Sequence, residues 1–248
     1  MTSGTVRIAA VGDLHYPRIP ISVVQPAFAQ LASRADVLLL CGDLTDHGTE
    51  DEARLLAREL GAAKIPIVAV LGNHDYEAGK PEAVTAILRE VGVHVLDGDS
   101  VEIDGVGFAG VKGFAGGFGE RALQPWGEPV IKAFVHEAVG EALKLESALA
   151  KLRTALRVAV LHYSPVHSTL EGEPPEIYPF LGSSRLEEPL IRYPVAAVFH
   201  GHAHRGRLEG RTRDGAPVYN VALPLLQAVD RPPVTIVELV RPGQAAAA

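Results

Sequence analysis

Short, largely apolar runs recur through the N-terminal part of the chain, and each stops at a glycine beside polar side chains. Val6–Val11 leads into Gly12-Asp13-Leu14-His15, Asp36–Leu40 into Cys41-Gly42-Asp43, and Pro66–Leu71 into Gly72-Asn73-His74-Asp75. Continuous apolar character over a few residues reads as a strand buried on both faces. Between these strands the spacing is helical. Val24, Phe28 and Leu31 predict a helix over about 23–33. Thr49 and Glu52 form a capping box for a helix that carries Ala53, Leu56, Ala57 and Leu60 on one face and stops at Gly61. Pro81 suits the first position of a helix reaching Val91, with Gly92 as its stop. Strand–helix repetition of this kind predicts a parallel, helix-covered α/β sheet. In such sheets the site lies beyond the carboxyl ends of the strands, so the polar clusters should converge there.

The pattern then changes. Val93–Leu96 reads as a fourth strand, and Ser100–Ile103 with Val106–Val111 as a hairpin around Asp104-Gly105, a switch toward mixed pairing. A Gly- and aromatic-rich loop over 112–129 is either a lid or a surface loop packed back on the body. The stripe Val135, Ala138, Val139, Ala142, Leu145, Leu149 and Leu152 marks a core-facing helix over 134–156. Arg157–Leu161 is a strand ending in His162-Tyr163-Ser164-Pro165. After a second long loop over 166–181, a helix over 184–192 leads to the strand Val195–Val198. That strand runs into Phe199-His200-Gly201-His202-Ala203-His204, whose alternating imidazoles can share a face. A second hairpin, 206–213 with 217–221, and a last strand, 234–240, follow. Residues 1–240 read as one domain and 241–248 as a disordered tail.

Composition adds limits. With 47% hydrophobic and 21% charged residues, the chain has the profile of a globular protein with a substantial core. The net charge of −7 argues against a surface built for nucleic acid or anionic membrane. The single cysteine, Cys41, excludes an internal disulfide, and neither a signal peptide nor a membrane-spanning run is evident, so a cytoplasmic location is expected.

The strand ends collect Asp13, His15, Asp43, Asn73, His162, His202 and His204, all nitrogen or oxygen donors. A mixed carboxylate, amide and imidazole set suits Mn, Fe or Zn. Seven donors exceed the need of one ion, whereas two ions sharing a carboxylate would use them all.

In their order, Asp13-Leu14-His15, Gly42-Asp43, Gly72-Asn73-His74-Asp75, His162 and Gly201-His202-Ala203-His204 resemble the five motifs of calcineurin-like metallophosphoesterases. The resemblance implies a four-layer α/β/β/α sandwich with two mixed β-sheets. It implies one metal on Asp13, His15 and His204, a second on Asn73, His162 and His202, and Asp43 bridging them. The two divalent or mixed-valence ions would activate a water between them for attack at phosphorus. His74 is then the catalytic histidine by the leaving group, as proton donor or electrostatic stabiliser. Asp46, which some relatives use for this purpose, is expected to orient it, while Asp75 is read as a turn cap. His200 lies outside the motif and is read as support, not as a ligand. Tyr16, Tyr163 and Arg205 flank ligands and are read as loop packing or substrate contacts.

The departures bear on substrate. His47 and Asp75 stand where the Ser/Thr protein phosphatase branch has arginine and glutamate, which weakens that reading. His162-Tyr163-Ser164-Pro165 also departs from the His-His-Pro-Pro form common among small bacterial phosphodiesterases. The expectation is a phosphodiesterase acting on a small soluble phosphoester. Phosphomonoesterase, protein phosphatase and a non-catalytic binding module are the alternatives, and the oligomeric state is left open.

Overall fold

The computed structural model describes residues 4–241. The N-terminal Met1–Ser3 and residues 242–248 of the expected tail lie outside the described residues. Among the described residues, eleven strands form two sheets. The first contains β1 (Thr5–Val11), β2 (Val37–Cys41), β3 (Ile67–Val70), β4 (His94–Val95) and β11 (Thr235–Val240), in the order β11-β1-β2-β3-β4. The second contains β5 (Asp99–Ile103), β6 (Val106–Val111), β7 (Leu156–Leu161), β8 (Ala197–His200), β9 (Glu209–Arg211) and β10 (Pro217–Asn220), in the order β5-β6-β7-β8-β10-β9. Both are mixed. β11 runs antiparallel to β1 beside an otherwise parallel sheet, and the hairpin partners β5 and β9 run antiparallel at the two edges of the other.

The period of two along each strand sorts the side chains into layers. On β1 and β2, Ile8, Ala10, Val37, Leu39 and Cys41 face the other sheet, where Phe108, Val158, Val160 and Phe199 meet them. Ala9, Val11, Leu38 and Leu40 face the opposite way, onto Leu56 and Leu60 of the helix Glu50–Leu60 and Val84 and Leu88 of the helix Pro81–Glu90. On the far side, Ala159, Leu161 and Val198 pack on Leu145 and Leu149 of the helix Pro129–Lys151. The fold is therefore the four-layer α/β/β/α sandwich. Strands buried on both faces explain why their sequences read as continuous apolar runs. Among the described residues, no helix is long and apolar enough to cross a membrane.

Several elements differ from expectation. The helix over 23–33 is broken into a 3₁₀ turn, Ile21–Val23, and two four-residue helices, Gln25–Phe28 and Leu31–Arg34. Pro26 has no N–H to continue a helix from upstream, and the N–H groups of Gln30 and Ser33 bond three residues back, to Ala27 and Gln30. Val24, Phe28 and Leu31 are nevertheless buried, as their spacing requires. The long helix starts five residues earlier than expected, at Pro129, and ends at Lys151, where Leu152 turns extended. A short helix, Leu223–Ala228, was not expected; its Leu223 N–H bonds the Gly12 carbonyl and ties the chain behind β10 to the end of β1. β8 runs on through His200.

Candidate metal centre

All the expected donors lie beyond the carboxyl ends of β1, β2, β3, β7 and β8. Asp13, His15, Asp43 and Asn73 come from the first sheet, and His162, His202 and His204 from the second. The turns that present them are stitched together. Asp13 N–H donates to the Gly42 carbonyl, His15 N–H to Asp43 and Tyr16 N–H to Leu44. Across the seam between sheets, His202 N–H donates to the Asp13 carboxylate (3.0 Å), and His162 Nδ1–H donates to the Cys41 carbonyl (3.0 Å).

Four of these donors sit on left-handed backbone: Asp13 at φ 57°, His15 at 42°, Asp43 at 47° and His202 at 69°. Such conformations are uncommon outside glycine and concentrate at functional sites. The glycines that open these turns permit close approach. A Cβ on Gly42 would collide with the His162 ring, one on Gly72 with the backbone N and carboxylate of Asp43, and one on Gly201 with the Asp13 carboxylate.

The side chains gather into three groups whose donor atoms lie within 4.8 Å of one another: Asp13, His15 and His204; Asp43, His162 and His202; and His15, Asp46 and His74. Asn73 joins the second group, with Oδ1 3.0 Å from His162 Nε2. Asp43 lies between the groups, with Oδ1 3.4 Å from His162 Nε2 and Oδ2 3.8 Å from His15 Nε2.

The electrostatics of this cluster fit a cation. His162 commits its Nδ1 proton to Cys41, so Nε2 presents a lone pair, and the Asn73 and Asp43 oxygens beside it are also acceptors. Both ring nitrogens of His15 are buried without a hydrogen-bond partner, against the general rule that buried polar atoms are paired. Burial holds His15 down at about 4, His202 at about 4 and His162 well below its ordinary value, so these imidazoles are neutral donors at pH 7. Burial, then the charges of Asp13 and Asp75, push the Asp43 carboxyl well above the carboxylate range. Crowded lone pairs, orphaned imidazole nitrogens and a frustrated carboxylate are what a divalent ion would relieve.

The remaining expected residues separate by role. His74 stands at the edge of the cluster, its ring 4.5 Å from that of His15. The Asp46 backbone carbonyl, not its carboxylate, lies 2.7 Å from His74 Nδ1. The Asp46 carboxylate instead lies 3.4 Å from His15 Nδ1 and 3.2 Å from Arg18 Nε. Asp75 is buried and accepts from Leu44 N, Thr45 N, Thr45 Oγ1 and Gly72 N, which makes it a turn cap. His200 uses both nitrogens within the protein, on the Gly201 carbonyl (2.7 Å) and Thr169 Oγ1 (2.9 Å). Tyr163 is buried, with its ring 4.4 Å from His202 and Lys112 over it at 5.3 Å, whereas Arg205 is exposed and gives its backbone N–H to Glu173.

The two long loops are joined beside the cluster. Gly116 N–H bonds the Pro179 carbonyl, Gly117 N–H bonds Gly182, and the Phe180 carbonyl accepts from His202 Nε2 (3.2 Å). Arg18, three residues past His15, belongs to no motif, and its position at the cluster's edge depends on how the 13–19 turn folds.

A donor set of this kind at the crest of a two-sheet sandwich defines a metal-dependent hydrolase. The chain belongs to the calcineurin-like phosphoesterases, whose family model matches residues 6–206. Among curated proteins, it is 34% identical over 68 residues to a probable cyclic nucleotide phosphodiesterase of Moraxella catarrhalis, covering 27% of this chain and 21% of that one. It is 41% identical over 73 residues to a component of the SbcCD nuclease of Rhodobacter capsulatus, covering 27% and 18%. The chain thus matches about a fifth of the length of these relatives. Among solved structures, the phosphopantetheinyl hydrolase of Mycobacterium tuberculosis superposes with a TM-score of 0.69 at 18% identity, over 97% of this chain and 98% of that one, a likeness of fold.

Proposed function

We propose that the chain is a dinuclear metal-dependent phosphodiesterase acting on a small soluble phosphoester. The observation that carries this reading is the pair of donor triads, Asp13/His15/His204 and Asp43/His162/His202, with Asp43 between them. Asp13, His15 and His204 would hold one ion, Asn73, His162 and His202 the other, and Asp43 both. Mn, Fe and Zn all suit the donors. When bound, such a pair supplies Lewis acidity, activating a water and offsetting charge at phosphorus.

The chain's own groups do the rest. The Asp46 carbonyl accepts a hydrogen bond from His74 Nδ1–H, which leaves Nε2 as the nitrogen that would give the leaving group a proton from the doubly protonated ring, returning it to the Nδ1–H tautomer. The Asp46 carboxylate lies 3.4 Å from His15 Nδ1, short of a hydrogen bond, and would orient that ring through its charge, the part carboxylates play beside metal-bound histidines. The joined loops wall one side of the centre. The net charge of −7 and the similarity to a probable cyclic nucleotide phosphodiesterase favour a small diester over a polymer. A cytoplasmic setting accords with the single buried cysteine.

The test is hydrolysis of a chromogenic phosphodiester with added Mn²⁺ by the wild type and by Asp43→Ala. The variant should lose nearly all turnover; full activity in it would overturn the two-metal reading. Faster turnover of the matching monoester would instead assign a phosphomonoesterase. Fewer than one bound ion per chain after supplementation would indicate a non-catalytic binding module.

A further inference from the structure

The segment after β1 carries a cation to the edge of the centre. Tyr16 N–H bonds the Leu44 carbonyl, Asp46 N–H bonds Tyr16 in return, and Ile19 N–H bonds His15. Residues 15–19 are thereby fixed to the turn that presents Asp43 and Asp46, and Arg18 projects from this turn. Its Nε lies 3.2 Å from Asp46 Oδ1, a charge contact without hydrogen-bond alignment, while the side chain as a whole is 56% exposed. Among the described residues, this is the ion pair the guanidinium makes. Asp46 is itself buried and touches both His15, through its carboxylate, and His74, through its carbonyl. Arg18 is thus one residue removed from a donor of the centre and from the expected proton donor.

A surface arginine paired with a carboxylate is ordinarily of little consequence. Here the partner is buried and belongs to the site, and it engages Nε alone. The two terminal nitrogens remain as a planar fork, the geometry that matches two oxygens of a phosphate group. We propose that Arg18 is a substrate-binding residue that takes non-bridging oxygens of the bound phosphate group with its two terminal nitrogens, Asp46 holding the fork in place. This rests on the phosphoester reading of the centre.

The experiment measures orthophosphate affinity by calorimetry on the full chain supplemented with Mn²⁺, alongside metal content, melting midpoint and steady-state kinetics on the chromogenic diester. Arg18→Ala should weaken orthophosphate binding roughly 10–100-fold, the loss expected for a charged hydrogen-bonding pair. Metal content and melting midpoint should be unchanged, and the kinetic loss should appear more in KM than in kcat. Arg18→Lys, which keeps the charge without the fork, should recover only part of the affinity. Wild-type orthophosphate affinity in Arg18→Ala overturns the inference, and so does a loss that merely tracks lost metal. If the wild type hydrolyses the diester and Arg18→Ala does so with unchanged KM, the Arg18 assignment fails while the proposed function stands. If orthophosphate binding depends on Arg18 but no phosphoester is turned over, the proposed function fails and the anion site stands.

Discussion

Replacing Asp43 with asparagine should shift stability in opposite directions with and without metal. In the metal-free protein the Asp43 carboxylate is buried, and burial followed by the Asp13 and Asp75 charges raises its pKa on folding. The sign of the pH effect follows from that direction. Below the unfolded value of about 3.9 the carboxyl is neutral and carries no penalty. As pH climbs toward the raised folded value, ionisation is favoured in the unfolded chain and stability is lost. Asparagine keeps the shape. Its oxygen still accepts the His74 N–H at the Oδ1 position (2.8 Å), and its amide nitrogen would occupy the Oδ2 position, on the side of the unpartnered His15 Nε2 at 3.8 Å. Removing a buried, poorly compensated charge is worth roughly 1–3 kcal/mol. At about 2–4 °C per kcal/mol for a chain of this size, the metal-free variant should melt on the order of 2–12 °C above metal-free wild type at pH 7. The gap should close as pH falls toward about 4. Metal reverses the order. The wild type gains about 2.7 kcal/mol at a hundredfold excess of ion over its dissociation constant, and the variant, without the shared carboxylate, gains less. Calorimetric melting after chelation and after Mn²⁺ addition, at both pH values, reads the whole comparison. A metal-free variant that melts below wild type at pH 7, with an equal gain from Mn²⁺ in both proteins, would refute the reasoning.

Two further substitutions separate chemistry from scaffolding. His74→Ala should lower kcat on the order of 10²–10⁴-fold while leaving metal stoichiometry intact; a parallel loss of metal would instead mark His74 as a ligand. Asp75→Ala strips the shared acceptor from Leu44 N, Thr45 N, Thr45 Oγ1 and Gly72 N and should cost roughly 3–5 kcal/mol in urea unfolding, with Asp75→Asn milder; a change below 1 kcal/mol would show that water replaces the carboxylate freely.

The parts of this architecture that depend on short-range period are legible in the sequence, because burial on both faces leaves continuous apolar runs in β1, β2 and β3, and glycines mark where those runs stop. The positions of the donors follow from the same punctuation. What depends on turn geometry is not legible. Asp46 is spaced to serve His74, yet which of its oxygens does so is decided by left-handed backbone at Asp43 and by the pairing of Tyr16 with Leu44 and Asp46. Arg18 carries no motif, and only that pairing brings it to the cluster. The broken helix before β2 shows the reverse case: the apolar spacing identifies the buried residues, while Pro26 decides the hydrogen bonding. The helix Leu223–Ala228 is too short to show a period and is visible only through its bond back to Gly12.

The two triads assigned to the ions, Asp13/His15/His204 and Asp43/His162/His202, each draw on both sheets. Asp13 and His15 meet His204 across the seam, and Asp43 meets His162 and His202. A chain with one sheet formed and the other loose therefore completes neither of these two triads. Ion capture becomes a report on closure of the sandwich, and a bound ion acts as a rivet that must be withdrawn before the sheets can separate. Its stabilisation should then reside in slower escape from the native state, with the rate of reaching that state little altered.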